Sequence, residues 1–149
     1  ETLIPGQTLY IDGSPARRED NVCHVGTITL QYGYLDPLRT IFLDQLEHPA
    51  ETASSITSHS IGWCEGDTFL VDTIGFEPSV LDHMGRSGFS MQSDQWHVVE
   101  CFEVGAEGRS LTRTYTFDDP LFMRGAYSGQ NSLSLTTEPY VPYNCEARS

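Results

Sequence analysis

Apolar and polar residues alternate with a period of two along most of the chain, the spacing of strands that turn one face to a core. In HVGTITLQYGYL (24–35), Ile28, Leu30, Tyr32 and Tyr34 share one face and Thr27, Thr29 and Gln31 the other. Asp36-Pro37 marks a turn, RTIFLD (39–44) returns as a strand, and EHPAETASSITS (47–58) is a polar loop of small residues. SHSIGWCEGDTFLVDTIGF predicts a hairpin turned at EGD, where Gly66 supplies the permissive backbone. EPSVLDHMGRSGFSMQSD (77–94) has no clear period and reads as irregular, with room for one short helical turn. QWHVVECFEV (95–104), the turn GAEG (105–108) and RSLTRTYTFDDP (109–120) form the clearest hairpin, and NSLSLTTEPYVPYNCE (131–146) reads as a last strand with an extended tail. In FDDP (117–120), Asp118 or Asp119 is expected to accept backbone N–H bonds while Pro120 stops the ladder.

No amphipathic helix of ordinary length appears, and turn signals recur every ten residues or so. The pattern predicts an all-β chain: an antiparallel β-barrel, lipocalin-like, or a strongly curved sandwich. Residues 1–149 read as a single domain, with 1–23 a peripheral segment that adds an edge strand around Leu9-Ile11.

The same alternation singles out acids. Asp72 falls with Leu70, Ile74 and Phe76; Glu100 falls with Val98 and Phe102; Arg113 falls with Leu111, Tyr115 and Phe117. If those are the core faces, three strands each direct one charged group inward, and the carboxylates need a partner such as Arg113. The competing reading turns the strands over, so that Phe69, Val71, His97 and Val99 form the core and the acids face water. A third leaves a buried structural ion pair with no ligand.

Charge narrows the function classes. The chain of 149 residues carries 21 acids against 8 bases, a net charge of −13, and every base is an arginine. Nucleic acid is not an expected partner, because phosphates demand clustered cations and Arg17-Arg18 is the sole adjacent pair. A lysine nucleophile or Schiff base is excluded outright. No apolar run approaches the roughly 18 residues of a spanning helix. Cys23, Cys64, Cys101 and Cys145 form no CxxC unit and allow three pairings if oxidised, with free thiols equally open. The chain begins with Glu1, as a processed export precursor or a trimmed chain would, and an extracytoplasmic location is the expectation. No pair of the five histidines has local metal-ligand spacing. A site gathered from His59, His83 and Asp82 is the one metal constellation worth weighing, and no metal or cofactor is expected.

The leading functional expectation is a barrel that binds a small, mostly apolar molecule. Tyr32, Phe76, Phe102 and Tyr115 line its pocket, Asp72, Glu100 and Arg113 fix a polar group, and His59 stands nearby. The alternative is an acid–base enzyme of isomerase, dehydratase or hydrolase type, with Asp72 and Glu100 as catalytic proton-transfer groups and Arg113 stabilising negative charge. A third class is an interaction domain whose acidic surface meets a basic partner. The oligomeric state is open.

The hairpin stretch resembles the G-x-S-x-G-x-W-E-G-D-T-L-V-V-D-T-x-G-F signature of uncharacterised bacterial proteins, many of them exported. RTIFLDQLEHP, VLDHMG, HVVECF, TFDDP and YNCE are similar, in the right order, to further motifs of that family, over about residues 39–146. Cys64 stands where the family has Trp, Gln45-Leu46-Glu47 replaces its Gly-Arg-x, and Cys101 replaces an Arg. Asp44, His48, His59, Glu65, Asp67, Asp72, Asp82, His97, Glu100, Asp119 and Glu146 fall on matching positions. The resemblance implies the fold and the choice of residues, by analogy a calycin-like barrel, and names no reaction.

Overall fold

The structure is a computed structural model that describes residues 9–13, 26–32, 37–82 and 89–141. Tyr34, Asp36, His83, Cys23, Cys145 and Glu146, and the side chain of Asp82, lie outside the described residues.

The strands are β1 (Leu9–Gly13), β2 (Thr27–Tyr32), β3 (Leu38–Phe42), β4 (His59–Glu65), β5 (Thr68–Ile74), β6 (Ser79–Asp82), β7 (Phe89–Gln92), β8 (His97–Val104), β9 (Ser110–Asp118) and β10 (Tyr127–Ser134). Eight of them form one sheet in the order β1-β2-β3-β4-β5-β8-β9-β10, curled into a half-barrel with β1 and β10 at its edges. No helix occurs among the described residues, so the all-β reading with a strongly curved sheet holds. The edge strand expected near Leu9 is β1. Residues 77–94 differ from expectation: β6 and β7 pair as a separate antiparallel hairpin. The last strand also starts earlier than its alternation suggested, at Tyr127, because it pairs residue for residue with β9.

Local chemistry explains the hairpins. β4 and β5 are joined by Gly66-Asp67, and Gly66 has φ 61° at the first central position, as a type II′ turn requires. That turn fixes the register Glu65↔Thr68 through His59↔Ile74. Asp119 ends β9 as anticipated: it accepts from the backbone N–H of Leu121 at 3.0 Å, and also from the N–H and hydroxyl of Ser93 at 2.7 and 2.8 Å. Burial alone would raise its pKa; the Ser93 and Leu121 donors outweigh it and hold the carboxyl below its ordinary value.

One junction breaks the antiparallel pattern. β3 and β4 run parallel, through Ile41↔Ser60 and Phe42↔Ile61. A parallel neighbour cannot be reached by a tight turn, so the chain must cross one face of the sheet on its way. Residues 44–58 make that crossing without a helix. The end of the crossover is pinned beside β5 by Ser55 N–H to Gly75 O at 3.0 Å and Glu77 N–H to Ser55 O at 3.1 Å. Gly75, at φ 77°, permits the approach, since a Cβ there would lie 2.6 Å from Thr52 Cγ2.

The core lies on the face opposite the crossover, here called the inner face. Leu30, Ile41, Leu43, Val71 and Phe102 are buried there, with Ile28, Tyr32, Phe69 and Leu111 packed against them. Two strands therefore fall differently under one rule. In β8 the Val98, Glu100 and Phe102 set is inner, as expected, whereas in β5 the inner set is Phe69, Val71 and Thr73, and Asp72 faces out.

Candidate functional site

Two polar centres occupy opposite faces of the sheet. Val71 pairs with Glu100 and Asp72 with Val99, so Asp72 and Glu100 cannot share an interior. The expected two-carboxylate centre of Asp72, Glu100 and Arg113 thus splits in two.

The inner centre is closed. Glu100 is 1 % exposed and is held by two guanidiniums: Arg113 Nε donates to Oε1 at 2.6 Å, and Arg39 Nη2 donates to Oε2. Arg39 was not among the expected site residues. Its Nε donates to Ser60 Oγ at 2.8 Å, its Nη2 also to Thr73 Oγ1 at 2.6 Å, and its Nη1 to the Tyr32 hydroxyl at 3.3 Å. Burial by itself would raise the Glu100 pKa; Arg39 first and Arg113 second outweigh it and hold the carboxyl below its ordinary value. Enclosed at 1 % exposure and bonded through both oxygens to guanidiniums, Glu100 is placed as the counter-ion of Arg39 and Arg113 rather than as an open proton-transfer group. Three of the aromatic residues expected to line a pocket pack or bond within this face. Phe102 packs on Phe69 with centroids 6.2 Å apart, Tyr115 lies beneath the Arg113 guanidinium at 4.7 Å, and Tyr32 bonds Arg39. Phe76 is not with them: it bridges to Ser55 past the end of β5.

The outer centre is built where the crossover passes over β4, β5 and β8. His59 and Asp72 project from β4 and β5, His97 comes from β8, and the crossover lays His48 among them. Asp72 accepts from His48 Nε2 at 2.9 Å through Oδ1 and from His97 Nε2 at 3.0 Å through Oδ2. His48 Nδ1 and His59 Nδ1 are 2.8 Å apart, and His59 stacks on Phe42 with centroids 5.1 Å apart. His97 Nδ1 lies 3.7 Å from Asp118 Oδ1.

Hydrogen-bond chemistry assigns the protons. An ionised carboxylate only accepts, so Nε2 of both His48 and His97 carries hydrogen. A neutral His48 then has its lone pair on Nδ1, and the shared proton belongs to His59 Nδ1. The pair cannot hold two extra protons at that separation. Burial first, and the neighbouring His48 second, depress the His59 pKa below its ordinary value.

Beside this cluster opens a cleft of about 410 Å³ lined by Gln45, Leu46, Glu47, His48, Ile61, Trp63 and Asp72. Leu46, Ile61 and Trp63 are its apolar wall, and the Trp63 indole is steadied by donating to Glu65 Oε1 at 3.0 Å. Asp72 and His48 therefore belong both to the polar cluster and to the cleft wall. Among the described residues no group of three or more His, Cys, Asp or Glu is arranged to hold a metal ion. Cys64 takes part in a disulfide and Cys101 is a free thiol.

Comparison with protein-family models, curated proteins and solved structures returned no match to this chain. What fold and site define is a class: a curved all-β sheet with a sealed ion network inside and a carboxylate–imidazole cleft outside.

Proposed function

We propose that the chain binds a small molecule with an apolar body in the cleft beneath the crossover, and that the Asp72 cluster fixes that molecule's polar group. The observation that carries this reading is the position of Asp72: it is held between two imidazole N–H donors, its side chain is 23 % exposed, and it lines a cleft walled by Leu46, Ile61 and Trp63. Apolar walls supply most of the binding in such sites, and a few oriented polar groups decide the pose. This reading puts the site on the outer face rather than in the barrel interior expected from alternation, since Glu100 is bonded to both Arg39 and Arg113.

A second reading, acid–base catalysis, is favoured by the chain of contacts from Asp72 through His48 to His59. Asp72 would take a proton from the ligand and return it, with His48 and His97 holding its oxygens in place. The resemblance to exported bacterial proteins supports the choice of residues under either reading, since His48, His59, Asp72 and His97 are all positions at which the motifs match. The Cys64 disulfide supports an extracytoplasmic location, where thiols stay oxidised. No helix among the described residues is long and apolar enough to cross a membrane.

The test is a fragment screen by NMR on the full chain, following the Trp63 indole and the His48 and His97 imidazole signals. Hits that shift these together support the cleft. Hits confined to Arg113, Tyr115 and Tyr32 would return the site to the inner face and refute it. Asp72→Asn then separates the readings: weakened binding marks an acid that fixes the ligand's polar group, and loss of turnover with binding retained marks a proton carrier.

A further inference from the structure

The two faces of the sheet are sorted by charge. The arginines of the described strands, Arg39 and Arg113, are both on the inner face and both engaged by Glu100. The outer face carries Glu65, Asp72, Glu103 and Asp118 on β4, β5, β8 and β9, and no arginine on any strand from β2 to β10 of the main sheet. Glu47 of the crossover joins Asp72 in the cleft wall, and Glu65 is fastened to the edge of Trp63. The donors an anion would need are occupied. Both nitrogens of His48 are bonded within the cluster, and the His97 Nε2 hydrogen is given to Asp72.

Resting on the cleft reading above, we infer that the ligand is a small organic cation: an ammonium or quaternary ammonium group carried on an apolar body. Glu47 and Asp72 supply opposite charge from two elements of the wall. The Trp63 ring supplies a face for the cation or its aromatic body, held in orientation by Glu65. Leu46 and Ile61 receive the apolar part. The net charge of −13 adds a long-range attraction for cations that an anionic ligand would have to overcome. A neutral ligand gains the wall but none of the charge.

Three probes that share a phenyl ring and a small polar head read this out on the full chain: benzylammonium, benzyl alcohol and benzoate, titrated in low salt near neutral pH while the Trp63 indole and His48 signals are followed. The expected result is that the ammonium binds at these residues about tenfold or more tighter than the alcohol, and that this advantage shrinks severalfold between about 20 and about 500 mM salt, as the screening length contracts. Glu47→Gln, which leaves the Asp72 cluster intact, is expected to cut the ammonium affinity and spare that of the alcohol. Equal or tighter binding of the alcohol or the benzoate at the same residues overturns the cationic class while the cleft stands. Binding of all three confined to the inner face, or absent altogether, overturns the cleft and the inference with it.

Discussion

Glu100→Gln changes one atom pair and tests the inner network directly. The glutamine keeps the shape and one acceptor oxygen but loses the charge that holds Arg39 and Arg113 together. Arg39 is then a nearly buried guanidinium, its side chain 11 % exposed, with three hydroxyl partners and no counter-ion. Removing one partner of a buried ion pair costs about 3–5 kcal/mol, mostly because the other charge is left uncompensated. For a chain of this size that corresponds to a fall in Tm of about 6–20 °C. Thermal and urea unfolding followed by circular dichroism measure it, with Arg39→Met and the double variant completing a cycle. The Arg39–Glu100 coupling is expected to reach about 2 kcal/mol. The pH dependence has a definite sign. Glu100 titrates below its ordinary value of 4.5 in the folded chain, so the unfolded chain binds the proton more readily. The stabilisation is complete above that ordinary value and is lost as pH falls through the folded one, so the gap between wild type and Glu100→Gln must close in acid. A variant within about 1 kcal/mol of wild type at neutral pH, or a gap that persists unchanged into acid, would refute the account of a charge-sealed inner face.

Gly62→Ala should lower stability by about 1–3 kcal/mol in urea unfolding, because its new Cβ would stand 2.7 Å from both Ile41 Cγ2 and Phe69 Cζ in a packed core. Asp119→Ala should cost about 1–3 kcal/mol by orphaning the Ser93 and Leu121 N–H groups, and should also weaken the loss of stability in acid, since Asp119 too titrates below its ordinary range. In an NMR titration His59 should take up its proton below 6.5, the ordinary imidazole value, because burial is the first cause that depresses it.

Hairpin geometry made part of this site readable in advance. The two-residue turn at Gly66-Asp67 fixes which residue of β4 faces which of β5, and the β8–β9 hairpin likewise places Glu100, Tyr115 and Arg113 on one side. The relation between Asp72 and Glu100 was not readable. β5 and β8 are joined through residues 75–96, a stretch that includes the β6–β7 hairpin and fixes no parity between them. Both faces of β5 are apolar enough to pass for a core, so alternation alone could not choose. Arg39 carried a usable signal, since it alternates with Ile41 and Leu43 just as Glu100 alternates with Phe102. His48 carried none in its own segment. A histidine in a polar loop acquires a role only once the loop is known to cross a sheet, and that depends on β3 and β4 being parallel neighbours.

That parallel junction is also the thinnest seam in the sheet, with two registered Cα pairs against seven between β4 and β5. Both polar centres straddle it. On the inner face Arg39 of β3 reaches across to Ser60 of β4, Thr73 of β5 and Glu100 of β8, so side-chain bonds supply the cohesion that the backbone ladder lacks there. On the outer face the crossover that the junction requires is fastened back onto β4 and β5 by His48, through His59 and Asp72. The two fastenings differ in kind. The inner one is charged and centred on a buried Glu100 bonded to two guanidiniums, and near neutral pH it keeps its charge. The outer one is partly exposed and contains an imidazole pair that accepts no second proton without separating. The cleft wall that runs from Gln45 to His48 therefore rests on the outer fastening, through the His48 contacts with His59 and Asp72, and not on the core.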